Sequence, residues 1–295
     1  MGKGAPQAEP LRTTPNRKKQ HTPNDDKRLK PESVLQELNG LIGLSEVKKL
    51  VSEVSAYVQI QHRREKASLH TEQLVLHMIF KGNPGTGKTT IARIMGKLLY
   101  SMEVLSQGHL IEVERADLVG EYIGHTAHKT REQIKKAMGG ILFIDEAYSL
   151  ARGGTKDFGK ESIDVLVKAM EDYKQDFVLI LAGYKREMEW FLHSNPGLYS
   201  RFPIYITFPD YTVEELLQIG ALMLKQRQYR LLPEARTVLR KILEEKNSLG
   251  SENEGNARLV RNLIEKAIRR QAVRLVKRRH LTREELMLIR PEDFD

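Results

Sequence analysis

Apolar residues run along this chain in two alternating rhythms. Continuous apolar-rich stretches of strand length occur at Leu74 to Phe80, 110–113, 141–144, 177–182 and 204–208. Between them apolar positions return every three or four residues, as in Val47, Leu50, Val51, Val54 and Val58, or in Ile91, Ile94, Met95, Leu98 and Leu99. The first pattern predicts buried strands and the second amphipathic helices, with Ser45 placed to cap the earlier helix. Strands that alternate with helices predict an α/β fold, with a mainly parallel sheet covered on both faces in three αβα layers.

Past residue 209 the rhythm becomes helical alone. Thr212, Val213, Glu214 and Glu215 form a capping box, and Pro233 suits the first turn of a further helix. From about Asn256 the apolar stripe Leu259, Leu263, Ile264, Ala267, Ile268 and Leu275 predicts a long helix, and no strand is evident to the end. The expected organisation is a tail over 1–30, an α/β core over 31–209 and a small all-α lid over 210–295.

Two stretches carry chemistry. Gly82, Asn83, Pro84, Gly85, Thr86, Gly87, Lys88 and Thr89 match the phosphate-loop pattern GxxxxGK[ST], with Thr90 following. The glycines let backbone N–H groups turn inward around phosphates, Lys88 can reach the β and γ phosphates, and the Thr89 hydroxyl suits Mg²⁺. A strand before the loop and a helix after it place the phosphate at a helix N-terminus, where unpaired N–H groups favour negative charge. Further on, Ile141, Leu142, Phe143 and Ile144 stop at Asp145 and Glu146. In a phosphate-loop protein, Asp145 is placed to hold Mg²⁺ and Glu146 to orient and polarise an attacking water. ATP and Mg²⁺ are therefore the predicted ligands, and hydrolysis of ATP the predicted reaction.

Composition narrows the picture. The chain has 295 residues, 40% of them hydrophobic, which is enough for packed cores, and no cysteine, which excludes a disulfide scaffold and Cys-based zinc sites. No apolar run approaches the roughly 20 residues that span a bilayer, and the first residues lack a signal peptide's apolar core, so a cytoplasmic location is expected. The net charge of +9 is concentrated at the two ends. Residues 1–30 are rich in Lys and Arg and poor in large apolar groups, which predicts a flexible tail. Arg269, Arg270, Arg274, Lys277, Arg278 and Arg279 give the long C-terminal helix a basic face, suited to solvent, to acidic protein or to nonspecific contact with nucleic acid.

The order of the phosphate loop, the acidic pair, NPGLYSRF (195–202) and GNAR (255–258) resembles the AAA+ ATPases. GNPGTGKTT, DLVGEYIGHTAHKT, ILFIDEAYSL, LAGYKREM and GNARLVRN are similar, more narrowly, to the CbbX/CfxQ group, which includes red-type Rubisco activases and a bacterial sporulation protein. The resemblance runs from about residue 33 to the end and is stronger toward the sporulation branch.

The resemblance implies further roles. Leu41, Ile42, Gly43 and Leu44 fall where AAA+ proteins pack a segment on adenine. Arg201 falls at the arginine finger, which acts in the neighbouring subunit's site, and Arg258 at the sensor 2 arginine, with Arg261 a competing candidate. Tyr122, Ile123 and Gly124 have the aromatic, apolar, glycine pattern of the central pore loop, which grips a polypeptide. Where many AAA+ proteins carry a polar sensor 1 residue, Ala182, Gly183 and Tyr184 stand instead. His125 and His128, without a third ligand nearby, do not read as a metal site, and Trp190 reads as packing. The implied whole is an ATP-driven remodeller of protein clients, a homo-oligomeric ring of six in a bacterial cytoplasm, serving spore formation. Rubisco activation is the first alternative. A nucleic-acid motor or loader is less favoured, because no recognition motif for DNA or RNA is present, and a metabolic kinase would not need a finger in trans.

Overall fold

The computed structural model describes residues 29–72, 74–122, 124–152, 158–248 and 255–294. The tail predicted over residues 1–30 lies outside them as far as residue 28, and so does Ile123. In chain order α1 (Pro31–Asn39) and α2 (Ser45–Lys66) precede β1 (Met78–Lys81), α3 (Lys88–Ser101), β2 (Leu110–Val113), α4 (Arg115–Leu118) and α5 (His125–Ala137). There follow β3 (Ile141–Ile144), α6 (Gly159–Asp172), β4 (Val178–Gly183), α7 (Lys185–His193), α8 (Pro196–Tyr199) and β5 (Ile204–Thr207).

The five strands pair in parallel in the order β2-β3-β4-β1-β5. Side chains of a strand alternate between faces, and β3 accordingly divides its residues between two cores. Ile141 and Phe143 join Val51, Ile91 and Met95 of α2 and α3. Leu142 and Ile144 join Ile134, Leu166 and Phe191 of α5, α6 and α7. All four are buried, which is why the run reads as continuously apolar. The strand order reverses beside β1, and in open parallel sheets ligands bind at such a switch point, beyond the strands' C-terminal ends.

After β5 the chain turns helical: α9 (Val213–Gln226), α10 (Pro233–Ser248), α11 (Asn256–Val276) and α12 (Arg283–Met287). Thr212 closes the predicted capping box, donating its N–H to Glu215 Oε2 at 2.8 Å while its hydroxyl accepts from Glu215 N–H at 3.3 Å. Tyr211, Leu216, Leu239 and Val260 share a core with Ile91 and Phe208, so the lid packs continuously with the α2–α3 face of the sheet.

Several expectations need correction. Ser45 is not a cap: it is the first residue of α2, the cap position belongs to Leu44 at φ 57°, and no side chain caps that end. The lid is helical as expected but contains one short parallel pair, β6 (Arg230–Leu231) with β7 (Leu288–Ile289). In α11 the buried stripe is Val260, Ile264, Ala267 and Leu275 with the polar Gln271, while Leu259, Leu263 and Ile268 only flank it. Gln271 is satisfied there, donating to Leu286 O and Leu288 O at 3.0 Å each. The helix α11 ends at Val276, so Lys277, Arg278 and Arg279 lie beyond it and not on its face, and not all of the basic residues of this segment are free for a ligand. Arg274 is paired with the buried Asp293 at 2.8 Å, and Arg278 with Glu285 at 2.6 Å. Trp190 is 54% exposed and does not fill a core.

Candidate nucleotide site

A cleft of about 560 Å³ opens where the sheet meets the lid, within the size range of small-molecule sites. Its floor is the loop from β1 to α3. Gly85 and Gly87 there have φ of +75° and +97°, conformations that residues with a Cβ avoid. A Cβ on Gly85 would also lie 2.8 Å from the backbone N of Arg258. The lid therefore touches the phosphate loop directly, and Ala257 N–H donates to Gly85 O at 3.3 Å.

Lys88 reaches back over the loop it follows, donating to Gly82 O at 2.8 Å and Asn83 O at 2.9 Å. Burial lowers its pKa, opposed by the carboxylate of Asp145. Thr89, Thr90, Asp145 and Glu146 line the same cleft. Glu146 stands in the left-handed region at φ 47°, and its N–H donates to Asp145 Oδ1 at 3.0 Å. A non-glycine residue held there stores roughly 1–3 kcal/mol of strain, a feature that clusters at functional sites. Burial first, and then the nearby Glu146 carboxylate, raise the pKa values of both the Tyr148 and Tyr184 hydroxyls. Tyr184 lines the cleft together with Glu146.

The opposite wall is apolar: Leu41, Ile42, Leu44, Tyr211, Ile219 and Met223 suit a purine face. Gly43, Asn83 and Thr86 are not part of that lining. The Thr86 hydroxyl donates to Asn83 O at 2.7 Å, and Asn83 Nδ2 donates to Asp210 Oδ1 and Oδ2 at 3.0 Å each. A Cβ on Gly43, at φ +64°, would overlap the Glu215 carboxylate. These three residues shape the loops behind the wall. Arg258 and Arg261 both line the cleft, and it is the charge of Arg258 that acts on Lys88.

Two predicted residues lie elsewhere. Arg201 does not line the cleft; its guanidinium pairs with Glu171 and donates to Gly197 O. Tyr122 is 65% exposed, its ring edge-on to His125 at 5.4 Å, and Gly124 behind it has φ +81° with nothing within 4 Å of an added Cβ. Among the described residues no group of three or more His, Cys, Asp or Glu is placed to hold a metal.

Sequence reasoning missed several residues at and behind the cleft, among them three polar ones. Glu112 and Tyr211 line it, and Asp210 holds the loop through Asn83. The signal for Glu112 was legible, one acid in the otherwise apolar strand Leu110–Val113. Asp210 and Tyr211 carry none, since a polar residue after a strand is ordinary. The Tyr211 hydroxyl donates to Thr86 O at 3.3 Å, and burial pushes its pKa up to about 12.

Comparisons with known proteins agree with this architecture. Residues 78–210 match the ATPase family associated with various cellular activities (AAA), and residues 212–295 match the AAA lid domain. Stage V sporulation protein K of Bacillus subtilis (strain 168) is 55% identical over 88% of this chain and 81% of its own length. The chloroplastic ribulose bisphosphate carboxylase/oxygenase activase of Cyanidioschyzon merolae is 46% identical over 89% and 90%. The Thermotoga maritima RuvB Holliday junction branch migration motor superposes with a TM-score of 0.57 at 20% identity, covering 86% of this chain and 67% of that one, which is a likeness of fold alone. The chain is an ATP-hydrolysing AAA+ enzyme and belongs to the CbbX/CfxQ family, with greater identity to the sporulation protein than to the activase.

Proposed function

We propose that this enzyme is an ATP-driven remodeller of protein clients, working in the bacterial cytoplasm as a six-membered ring and serving spore formation. ATP binds with its base against Ile42 and Leu44 and its phosphates in the loop Gly82–Thr89. The donor set fits Mg²⁺, since Thr89 and Asp145 offer hard oxygens on one side of the loop. Mg²⁺ held by Thr89 and Asp145 would neutralise charge on the phosphate oxygens. Lys88 leaves its two carbonyl partners for the phosphates, Asp145 holds the metal side, and Glu146 orients the water and polarises it. Arg201, outside its own cleft, reaches the site of the next subunit. Arg258 joins lid to phosphate, so that nucleotide state sets the lid's angle.

The observation that carries remodelling, beyond ATPase activity, is the 65% exposure of Tyr122 on a glycine-backed loop that contributes nothing to the nucleotide cleft. A large, mostly exposed ring that only the edge of His125 touches is suited to grip a chain without reading its sequence. No helix among the described residues is long and apolar enough to cross a membrane, which is compatible with a cytoplasmic site of action. Rubisco activation is the second reading, favoured by 46% identity to the Cyanidioschyzon activase. A nucleic-acid client is less favoured: Arg274 and Arg278 of the basic segment are engaged within the chain, and the likeness to RuvB concerns fold.

The test is a trap. Glu146→Gln should hold ATP without turnover, and proteins captured with it from sporulating cells should include a spore-formation protein. Recovery of Rubisco from a host that possesses it would move the assignment to the second reading. Capture of nucleic acid alone would overturn both.

A further inference from the structure

Glu112 is the one polar side chain of β2, and it points at the magnesium end of the cleft. Strand register places it opposite Phe143, whose ring belongs to the core on the α3 face. By the two-residue period of a strand, Asp145 leaves β3 toward that same face. Glu112 and Asp145 therefore approach α3 from neighbouring strands, and both line the cleft with Thr89.

The contacts are specific. Thr89 Oγ1 donates to Glu112 Oε1 at 3.3 Å, and Arg93, one helical turn further along α3, donates from Nη2 to Glu112 Oε2 at 3.2 Å. A hydroxyl has one proton and two lone pairs. When Thr89 gives a lone pair to a cation, its proton needs an acceptor, and Glu112 is already that acceptor. Arg93 holds the second carboxylate oxygen and so fixes the rotation of the first. The Arg93 and Glu112 side chains are 60% and 42% exposed, and a pair so open to water adds little to fold stability. Its geometric effect falls on Thr89.

We infer that Glu112 is a positioning residue for Mg²⁺: it aligns the Thr89 hydroxyl and, held by Arg93, presents a carboxylate to the cation's water shell. This rests on the reading of Thr89 as a metal ligand. Partners of metal ligands matter in this way because they orient the ligand and raise its basicity, and their loss commonly weakens metal binding 10–100-fold.

The test measures binding without turnover, using a fluorescent non-hydrolysable ATP analogue on the full chain at increasing free Mg²⁺. Glu112→Ala should raise the half-saturating Mg²⁺ about 10-fold. In excess EDTA the same variant should bind the analogue as well as wild type or better, because a carboxylate near the phosphates has gone. Arg93→Ala should shift the Mg²⁺ midpoint in the same direction but less, and Glu112→Gln, which keeps an acceptor, should recover part of the loss. An unchanged Mg²⁺ midpoint in Glu112→Ala, or an equal loss with and without Mg²⁺, would overturn the assignment. Failure of wild type to bind the analogue at any Mg²⁺ would instead overturn the nucleotide site, and Glu112 with it.

Discussion

Arg201 and Glu171 form an ion pair within one subunit, joining the segment after α8 to the end of α6. Arg201 Nη1 also donates to Gly197 O, while its Nε is buried without a partner. An arginine that serves a neighbouring site must leave this arrangement. The cost is small, because Glu171 is 60% exposed and open ion pairs are worth about 1 kcal/mol or less. In the proposed ring, assembly can therefore draw the guanidinium across without unfolding its surroundings.

The first prediction separates the two partners. Arg201→Ala should bind ATP normally and hydrolyse it at least about 1,000-fold more slowly, the lower end of what such an arginine contributes. Glu171→Ala should leave turnover within a few-fold of wild type or raise it. Steady-state ATPase assays decide, and equal losses in the two variants would make Arg201 a structural residue. Mixing Arg201→Ala with Lys88→Ala should restore activity wherever an intact site meets an intact arginine. No recovery, in rings shown by native mass spectrometry to be mixed, would place its action within its own subunit or nowhere.

The second prediction concerns the site itself. Lys88→Ala should abolish nucleotide binding, since in the proposed mechanism Lys88 acts on ground-state phosphates. Glu146→Gln should keep binding and lose turnover, since the proposed role of Glu146 is on the water. Equilibrium binding of a fluorescent ATP analogue together with phosphate release separates the two effects. Wild-type turnover in either variant would remove that residue from the mechanism.

The third prediction concerns the joint between loop and lid. Asp210 accepts from Asn83 Nδ2 of the phosphate loop at 3.0 Å and from Asn256 Nδ2 of the lid at 2.8 Å. Asn256, buried at φ 61°, accepts in turn from Tyr211 N–H at 2.9 Å. Asp210→Ala removes the acceptor from two amides, one of them buried, and should cost about 1–3 kcal/mol of stability. Denaturant unfolding at neutral pH measures it. A loss below about 0.5 kcal/mol, the level of an ordinary surface substitution, would mean that water replaces Asp210 and that the joint is loose.

The parts of this fold that were legible in the sequence are those whose signal is local. The phosphate loop, the run ending at Asp145 and the Thr212 capping box each declare themselves within a few residues. The joint at Asp210 was not legible, because Asn83, Asp210 and Asn256 meet only once the lid has packed. Two-residue strands such as Arg230–Leu231 are too short for any period to register. Trp190 misleads because its neighbours Met188, Phe191 and Leu192 are buried. At 100° per residue, position 190 falls on the far side of the helix from 188. Ser45 fails as a cap because Leu44, in the left-handed region, turns the chain before it.

The fourth prediction is a pH dependence of stability. His77 is 1% exposed, its Nδ1 accepts from Leu179 N–H at 3.0 Å, and burial lowers its pKa to about 4. An unfolded histidine titrates near 6.5, so the unfolded chain takes up this proton first. Stability from His77 is therefore fully present above about pH 6.5 and is lost as pH falls toward 4, by up to about 3 kcal/mol. His77→Asn, which retains an acceptor, should be less stable at pH 7 yet show a flatter decline between pH 6.5 and 4.5 in denaturant unfolding. Parallel pH profiles for the two proteins would remove His77 as the cause.

The last prediction tests threading against every other use of the same ATPase. Tyr122 is 65% exposed and lies outside the nucleotide cleft, so Tyr122→Ala removes little buried surface and no group of the cleft lining. Basal ATP hydrolysis, melting temperature and ring formation should stay close to wild type. Client remodelling should be lost, because in the proposed mechanism pulling force reaches the substrate only through that loop. A photoreactive side chain at position 122 should crosslink to polypeptide during turnover and less so with ADP, which reports the contact before any client is identified. If that probe captures no polypeptide, or if Tyr122→Ala loses ATPase activity in step with folding, the loop does not grip a chain, and the enzyme's work on its client must be sought on another surface.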